Sequence, residues 1–223
     1  MVRPTKKAPH VTVELVREVH RARGDEIRAR LAEFEAVWRH GSEARLWEEL
    51  VFCIFTAGAS ARMGLRSIEA VRPLLLKGTQ QQIAEALRGV HRYPRERARY
   101  IVETRDHLQR LCGLRLRERL SAFAEAEARR DWLARDRAIK GLGYKEASHF
   151  LRNIGFRGYA ILDKHILRSL AELGCIETAT PPTTRARYLT IEDALRRFAD
   201  DIGIDFDELD LVLWSMKTGE VLK

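Results

Sequence analysis

The sequence predicts an all-α protein, on three observations. Apolar residues recur at three- and four-residue spacing through most of its length, whereas no segment shows the strict alternation of a half-buried strand. Ser, Thr, Asp or Pro stands at the entrances of several periodic stretches, and Gly or Pro follows their ends. With 223 residues, 45% of them hydrophobic, the chain can bury a proper core as one compact domain or two small lobes.

Residues 1 to 10 read as a basic lead-in in which Pro4 and Pro9 block regular structure. Residues 11 to 38 read as helix, broken near Gly24, with Val11, Leu15, Val16 and Val19 on one face and Ile27, Leu31, Phe34 and Trp38 after them. Gly41-Ser42 closes that helix and caps the next. Ser42 to Ala57 starts amphipathic and becomes apolar all round over Leu50 to Phe55, which marks the central buried helix. Small residues from Thr56 to Ala61 make a turn, and Ser60–Leu76 and Thr79–Leu87 read as further helices. Pro94 forces Tyr93 out of α geometry and suits the first position of a helix carrying Ala98, Tyr100, Ile101 and Leu108. Arg95, Arg97, Arg99 and Arg105 make that helix strongly basic, either as a solvated face or as a wall toward DNA. Residues 115 to 139 read as two charged helices.

The most informative stretch runs from Ile139 to Gly155. Gly141 and Gly143 bracket one apolar residue between helical segments, a pattern that suits a tight turn with positive φ and bare backbone N–H groups. In the second helix Ala147, Phe150, Leu151 and Ile154 share one face, so Lys145, His149 and Arg152 are expected to point outward together. Exposed amides at such a turn and helix start form a phosphate seat that positions nucleic acid without reading its sequence. Lys145 stands in the first turn, where the helix dipole disfavours a cation. An amine that gives up its proton easily is a Schiff-base nucleophile, and the plainer reading of Lys145 is a solvated lysine.

Downstream, the apolar run Tyr159 to Leu162 meets Asp163, after which Ile166, Leu167 and Leu170 fall at helical spacing. This reads as a buried connection delivering Asp163 to a helix N-cap. Thr180–Thr184 is a break, Thr184 caps a helix from Arg185 to Asp201, and Asp205 with Glu208 resembles a capping box before a last helix, Leu209–Lys217, ended by Gly219.

Lys and Arg outnumber Asp and Glu by 40 to 32, a net charge of +8 that favours a polyanionic partner. Cys53, Cys112 and Cys175 lie far apart, which points to a reducing compartment and to neither a disulfide framework nor a zinc or iron–sulfur site. The apolar run Leu50–Phe55 is too short to span a bilayer, and the N-terminus has no signal-peptide core. No exposed apolar stripe calls for a partner subunit, so a monomer is expected.

The segments Lys140 to Asn153, Ile161 to Arg168 and Trp214 to Lys223 resemble those of the helix-hairpin-helix DNA glycosylase superfamily, and within it the archaeal-type 8-oxoguanine DNA glycosylase/lyases. The resemblance extends from about Gly41 to Lys223. It implies two helical lobes, 1–40 plus 160–223 and 41–159, with the active site in the cleft between them. It implies a DNA repair enzyme of base excision that acts on double-stranded DNA containing oxidised guanine, in the cytoplasm at the nucleoid. Lys145 would attack the deoxyribose C1′ and Asp163 would assist, with no metal and no cofactor. Tyr93, Trp214, Lys223 and His149 would form the pocket for the extruded base, and Lys140, Gly141, Gly143 and His165 would contact the DNA backbone. Lys140 is the rival nucleophile. The family usually has phenylalanine at Tyr93, and an asparagine near the lesion where this chain has Gly58, so the opposite-base preference does not carry over. Two other readings are a non-catalytic helix-hairpin-helix DNA-binding protein and a glycosylase for another damaged or mispaired base.

Overall fold

The computed structural model describes residues 10–222, and within them the regular structure is helical. Eleven α-helices follow in order: α1 (Val13–His40), α2 (Glu43–Thr56), α3 (Ala61–Val71), α4 (Gln80–Ala86), α5 (Pro94–Cys112), α6 (Leu116–Ser121), α7 (Ala126–Arg135), α8 (Tyr144–Asn153), α9 (Lys164–Glu172), α10 (Arg185–Ile202) and α11 (Phe206–Thr218). A short 3₁₀ turn, Arg72–Leu74, follows α3. The chain forms two compact units: the described part of Met1–Leu31 with Ala160–Leu222, and Ala32–Tyr159.

Caps fix most of the entrances. Ser42, Ser60, Thr79, Asp163, Thr184 and Asp205 each accept backbone N–H bonds from the first turn that follows, satisfying donors that would otherwise be orphaned. Only half of the box expected at Asp205 forms. Glu208 turns away to pair with His20 at 2.6 Å and with Arg28 at 3.3 Å, tying α11 to α1 instead. Gly24 does not break α1, which continues as one helix from Val13 to His40.

The larger unit is built around α2. Every residue from Leu46 to Thr56 is buried, and α3, α5, α6 and α8 pack on it. Two of these buried residues are acids. Arg45 bridges Glu48 and Glu49, and Arg72 Nε reaches Glu48 at 2.9 Å, so both carboxylates enter the interior paired. Trp47 Nε1–H donates to the Leu75 carbonyl at 3.1 Å, which lets a large ring sit fully buried.

In the smaller unit α9 packs on α11 and α11 on α10, closing over Leu167, Leu170, Ile191, Leu195, Leu209 and Val212. Glu172 anchors the start of α1 by accepting from Val11 N–H at 2.8 Å, and the same carboxylate holds Lys217 Nζ at 2.8 Å.

Candidate active site

The hairpin joins α7 to α8 through residues 136 to 143, a longer joint than the Gly-Leu-Gly turn alone. Asp136 starts it, accepting from Ala138 N–H at 2.9 Å, and Lys140 N–H donates to Thr104 Oγ1 at 2.8 Å, which fastens the joint to α5. Gly141 has φ +77°, and a Cβ there would lie 2.9 Å from the Tyr100 ring. Glycine is required on both counts. Gly143 differs from expectation: it is extended, with φ −99° and ψ −168°. Nor is its amide bare, because Glu146 reaches back and accepts from Gly143 N–H at 3.2 Å, the reciprocal half of a capping box.

Lys145 occupies the first turn of α8, and its Nζ lies 2.8 Å from Glu146 Oε1. One carboxylate therefore holds both the turn amide and the ammonium. Lys140, on the other side of the turn, has its Nζ 3.9 Å from Glu103 on a partly exposed surface.

From Ala147 to Ile154 every residue of this segment is buried, so the expected outward basic face is not there. His149 sets its ring edge-on to Phe52 at 5.6 Å, and the Arg152 guanidinium lies over Phe34 at 5.3 Å. Both were expected to face outward beside Lys145. They are instead enclosed because α1 and α2 supply aromatic faces for them.

Within the same unit, the loop entering α5 presents Tyr93, which is 45% exposed and among the most exposed large apolar side chains of the described residues. Pro94 stands at the first helical position as expected. Behind Tyr93, His91 is buried, and burial pushes its imidazole below the ordinary value of 6.5. Arg97 is buried too, donating from Nη2 to the Ala57 carbonyl, with its guanidinium near the Tyr93 and Tyr100 rings. Burial lowers its pKa, and nearby Tyr100 and Glu146 work against that shift.

In the smaller unit the buried connection Ala160–Leu162 leads into Asp163 as expected. Its amides have partners: Ala160 N–H donates to Glu192 at 2.8 Å and Ile161 N–H to Asp210 at 3.2 Å, while Tyr188 O–H donates to the Ala160 carbonyl at 2.6 Å. Asp163 Oδ1 accepts from both His165 N–H at 2.7 Å and Ile166 N–H at 2.9 Å. The cap uses one carboxylate oxygen, so it is compatible with chemistry at the other. Burial lowers the pKa of His165 against the pull of Asp163, and Lys164, Arg168 and Lys217 add to the lowering. Trp214 is half-buried on α11, and Lys223 lies outside the described residues.

The chain matches the family described as 8-oxoguanine DNA glycosylase over residues 27–204. A protein of Korarchaeum cryptofilum named 8-oxoguanine DNA glycosylase/AP lyase is 43% identical over 215 residues, 94% of this chain and 98% of that one. The chain belongs to the 8-oxoguanine DNA glycosylase family. Two solved structures agree with that membership. The Methanocaldococcus jannaschii 8-oxoguanine glycosylase/lyase, crystallised with a 15mer DNA containing 8-oxoguanine, superposes with a TM-score of 0.86 at 35% identity, covering 95% of this chain and 99% of that one. The 8-oxoguanine DNA glycosylase of Thermotoga maritima gives 0.85 at 35% identity, with 95% and 98% covered.

For this glycosylase-family chain the hairpin and the Asp163 cap are the sites that sequence reading located, and three partners escaped it. Glu146 could have been read from its position three residues after Gly143, the spacing of a reciprocal cap. Glu192 and Asp210 carry no such local signal, since they serve backbone amides far away in sequence. Among the described residues no cluster of His, Cys, Asp and Glu could hold a metal ion, and no helix is long and apolar enough to cross a membrane.

Proposed function

We propose that this chain, as a monomer on double-stranded DNA, excises 8-oxoguanine and then cuts the strand at the resulting site, with Lys145 as nucleophile and Asp163 as its acid–base partner. The observation that carries the reading is the placement of a primary amine in the first turn of α8, directly after a joint held open by Gly141, in a chain of this family.

The chemistry follows from the residue types. Neutral Lys145 Nζ donates its electron pair to the deoxyribose C1′, and the bond from C1′ to the base nitrogen breaks with its electrons leaving on the base. The adduct passes a proton from its nitrogen to the ring oxygen O4′ as the C1′–O4′ bond breaks, which gives an open-chain iminium, and loss of a proton from C2′ then drives β-elimination of the 3′ phosphate. A carboxylate at Asp163 takes up the amine's proton and balances positive charge on the sugar. A hydroxyl or carboxylate nucleophile forms no iminium and so gives no strand cut.

The extruded base needs flat walls, each worth about 1–3 kcal/mol of stacking. We assign Tyr93 and Trp214 to this role, with His149 and Lys223 completing the pocket. Lys140, Gly141, Gly143 and His165 are assigned to the DNA backbone.

A panel of duplexes carrying 8-oxoguanine, an alkylated purine, a mismatch or no lesion, scored for free base and for strand cuts, tests the assignment. Release confined to 8-oxoguanine, accompanied by cleavage, is expected. Binding without base release contradicts it, as does preferential release of another base.

A further inference from the structure

The Lys145 ammonium is held by its own neighbour in sequence, an uncommon arrangement on a helix. Adjacent residues diverge by about 100° around the axis, so i and i+1 side chains do not ordinarily meet. They meet here because the Glu146 side chain folds back over the helix entrance to accept from Gly143 N–H at 3.2 Å through Oε2, which leaves Oε1 2.8 Å from Lys145 Nζ. The glutamate side chain is only 14% exposed and the lysine 28%. Arg97, enclosed beside the Tyr93 and Tyr100 rings, also feels the Glu146 charge. A backbone amide and one ammonium therefore hold the two oxygens of this carboxylate. A carboxylate so fixed also fixes what is bound to it.

We propose that Glu146 is a positioning residue for the nucleophile: it pins the Lys145 head group against the hairpin joint before DNA arrives. This inference rests on the assignment of Lys145 as nucleophile. A free lysine head samples many rotamers, and that freedom has to be removed before attack on C1′. Catalytic rates are sensitive to the placement of the attacking atom at the ångström scale. Glu146 supplies that placement from within the same turn of helix, without touching the reacting sugar.

The test compares wild type, Glu146→Gln and Glu146→Ala under single-turnover borohydride trapping on an 8-oxoguanine duplex and on a duplex with a preformed abasic site, alongside Kd for the abasic duplex and Tm. Glutamine keeps an oxygen for Gly143 N–H and loses the charge that holds the ammonium. It is expected to trap about tenfold or more slowly with Kd within about twofold of wild type and Tm unchanged, because the defect lies in orientation alone. Alanine is expected to be as slow and also less stable. Should the glutamine protein fail to fold, Glu146→Asp, which keeps the charge but loses the reach, is read by the same criteria. Trapping at the wild-type rate overturns the proposal, and so does slow trapping matched by an equal loss of DNA affinity. Lys145→Gln is run in parallel. If it forms no adduct while Glu146→Gln behaves as wild type, only the role of Glu146 fails; if it still forms the adduct, the assignment of Lys145 fails first.

Discussion

Tyr93 N–H donates to His91 Nδ1 at 3.0 Å, which obliges the imidazole to carry its proton on Nε2 and to donate that proton to the Phe55 carbonyl at 3.1 Å. The ring thereby bridges the end of α2 and the loop that presents Tyr93. Protonating Nδ1 would destroy the acceptor and place a buried cation beside Arg97 and Arg92. Because burial depresses the folded-state pKa below 6.5, the unfolded chain binds more protons in that range. The stability His91 contributes is therefore complete above its ordinary value and is lost as pH falls through the depressed one. We predict that Tm falls between about pH 7 and about pH 5 and that His91→Asn, which keeps an acceptor but does not titrate there, falls less. His165, also depressed, titrates in both proteins, so the difference between the two Tm curves isolates His91. Parallel curves would show that His91 is not the responsible group.

Gly141→Ala is expected to be costly and Gly143→Ala mild. At Gly141 a left-handed φ costs a side chain about 1–2 kcal/mol, before the new Cβ meets the Tyr100 ring at 2.9 Å. At Gly143 the backbone is extended, and a Cβ would contact only Glu146 Oε2 at 3.4 Å. Urea melts should separate the two variants. Equal losses would mean that the joint does not have this conformation.

What the sequence could reveal depended on how local each determinant is. The caps at Ser42, Asp163 and Thr184 and the buried run of α2 were legible because a few neighbouring residues decide them. The orientation of His149 and Arg152 was not, since periodicity ranks them as outward while contacts distant in sequence, among them Phe52 of α2 and Phe34 of α1, favour their burial. The continuity of α1 was missed for a related reason. A glycine lowers helix stability by about 1 kcal/mol, which packing of the flanking Ile27 and Leu31 offsets. At the candidate site, the lysine and the aspartate could be picked out as residues at helix mouths, but the ion pair to Glu146 could not be seen in a pattern that treats side chains singly.

The carboxylates beneath the Asp163 connection should be structural. Glu192→Ala and Asp210→Ala each leave a buried backbone amide without its acceptor, worth about 1–3 kcal/mol, or roughly 2–4 °C in Tm per kcal/mol at this size. Circular dichroism melts check this. Unchanged Tm in both variants would show that these bonds are not needed to hold the connection.

Gly58 has φ +72°, and nothing lies within 4 Å of a Cβ built there. Asparagine tolerates left-handed geometry better than most side chains, so Gly58→Asn should fold with a loss of no more than about 1 kcal/mol. With a side chain able to hydrogen-bond restored at this position, discrimination among bases opposite the lesion is expected to sharpen. Excision rates measured against each opposite base decide it, and an unchanged ranking would remove Gly58 from the specificity account.

The most direct measurement is the location of the covalent bond. Wild-type protein is trapped with borohydride on an 8-oxoguanine duplex, digested, and the sugar-bearing peptide sequenced by mass spectrometry. The adduct is predicted on Lys145 and absent from Lys145→Gln. An adduct on Lys140, or strand cleavage with no adduct at all, would contradict the account.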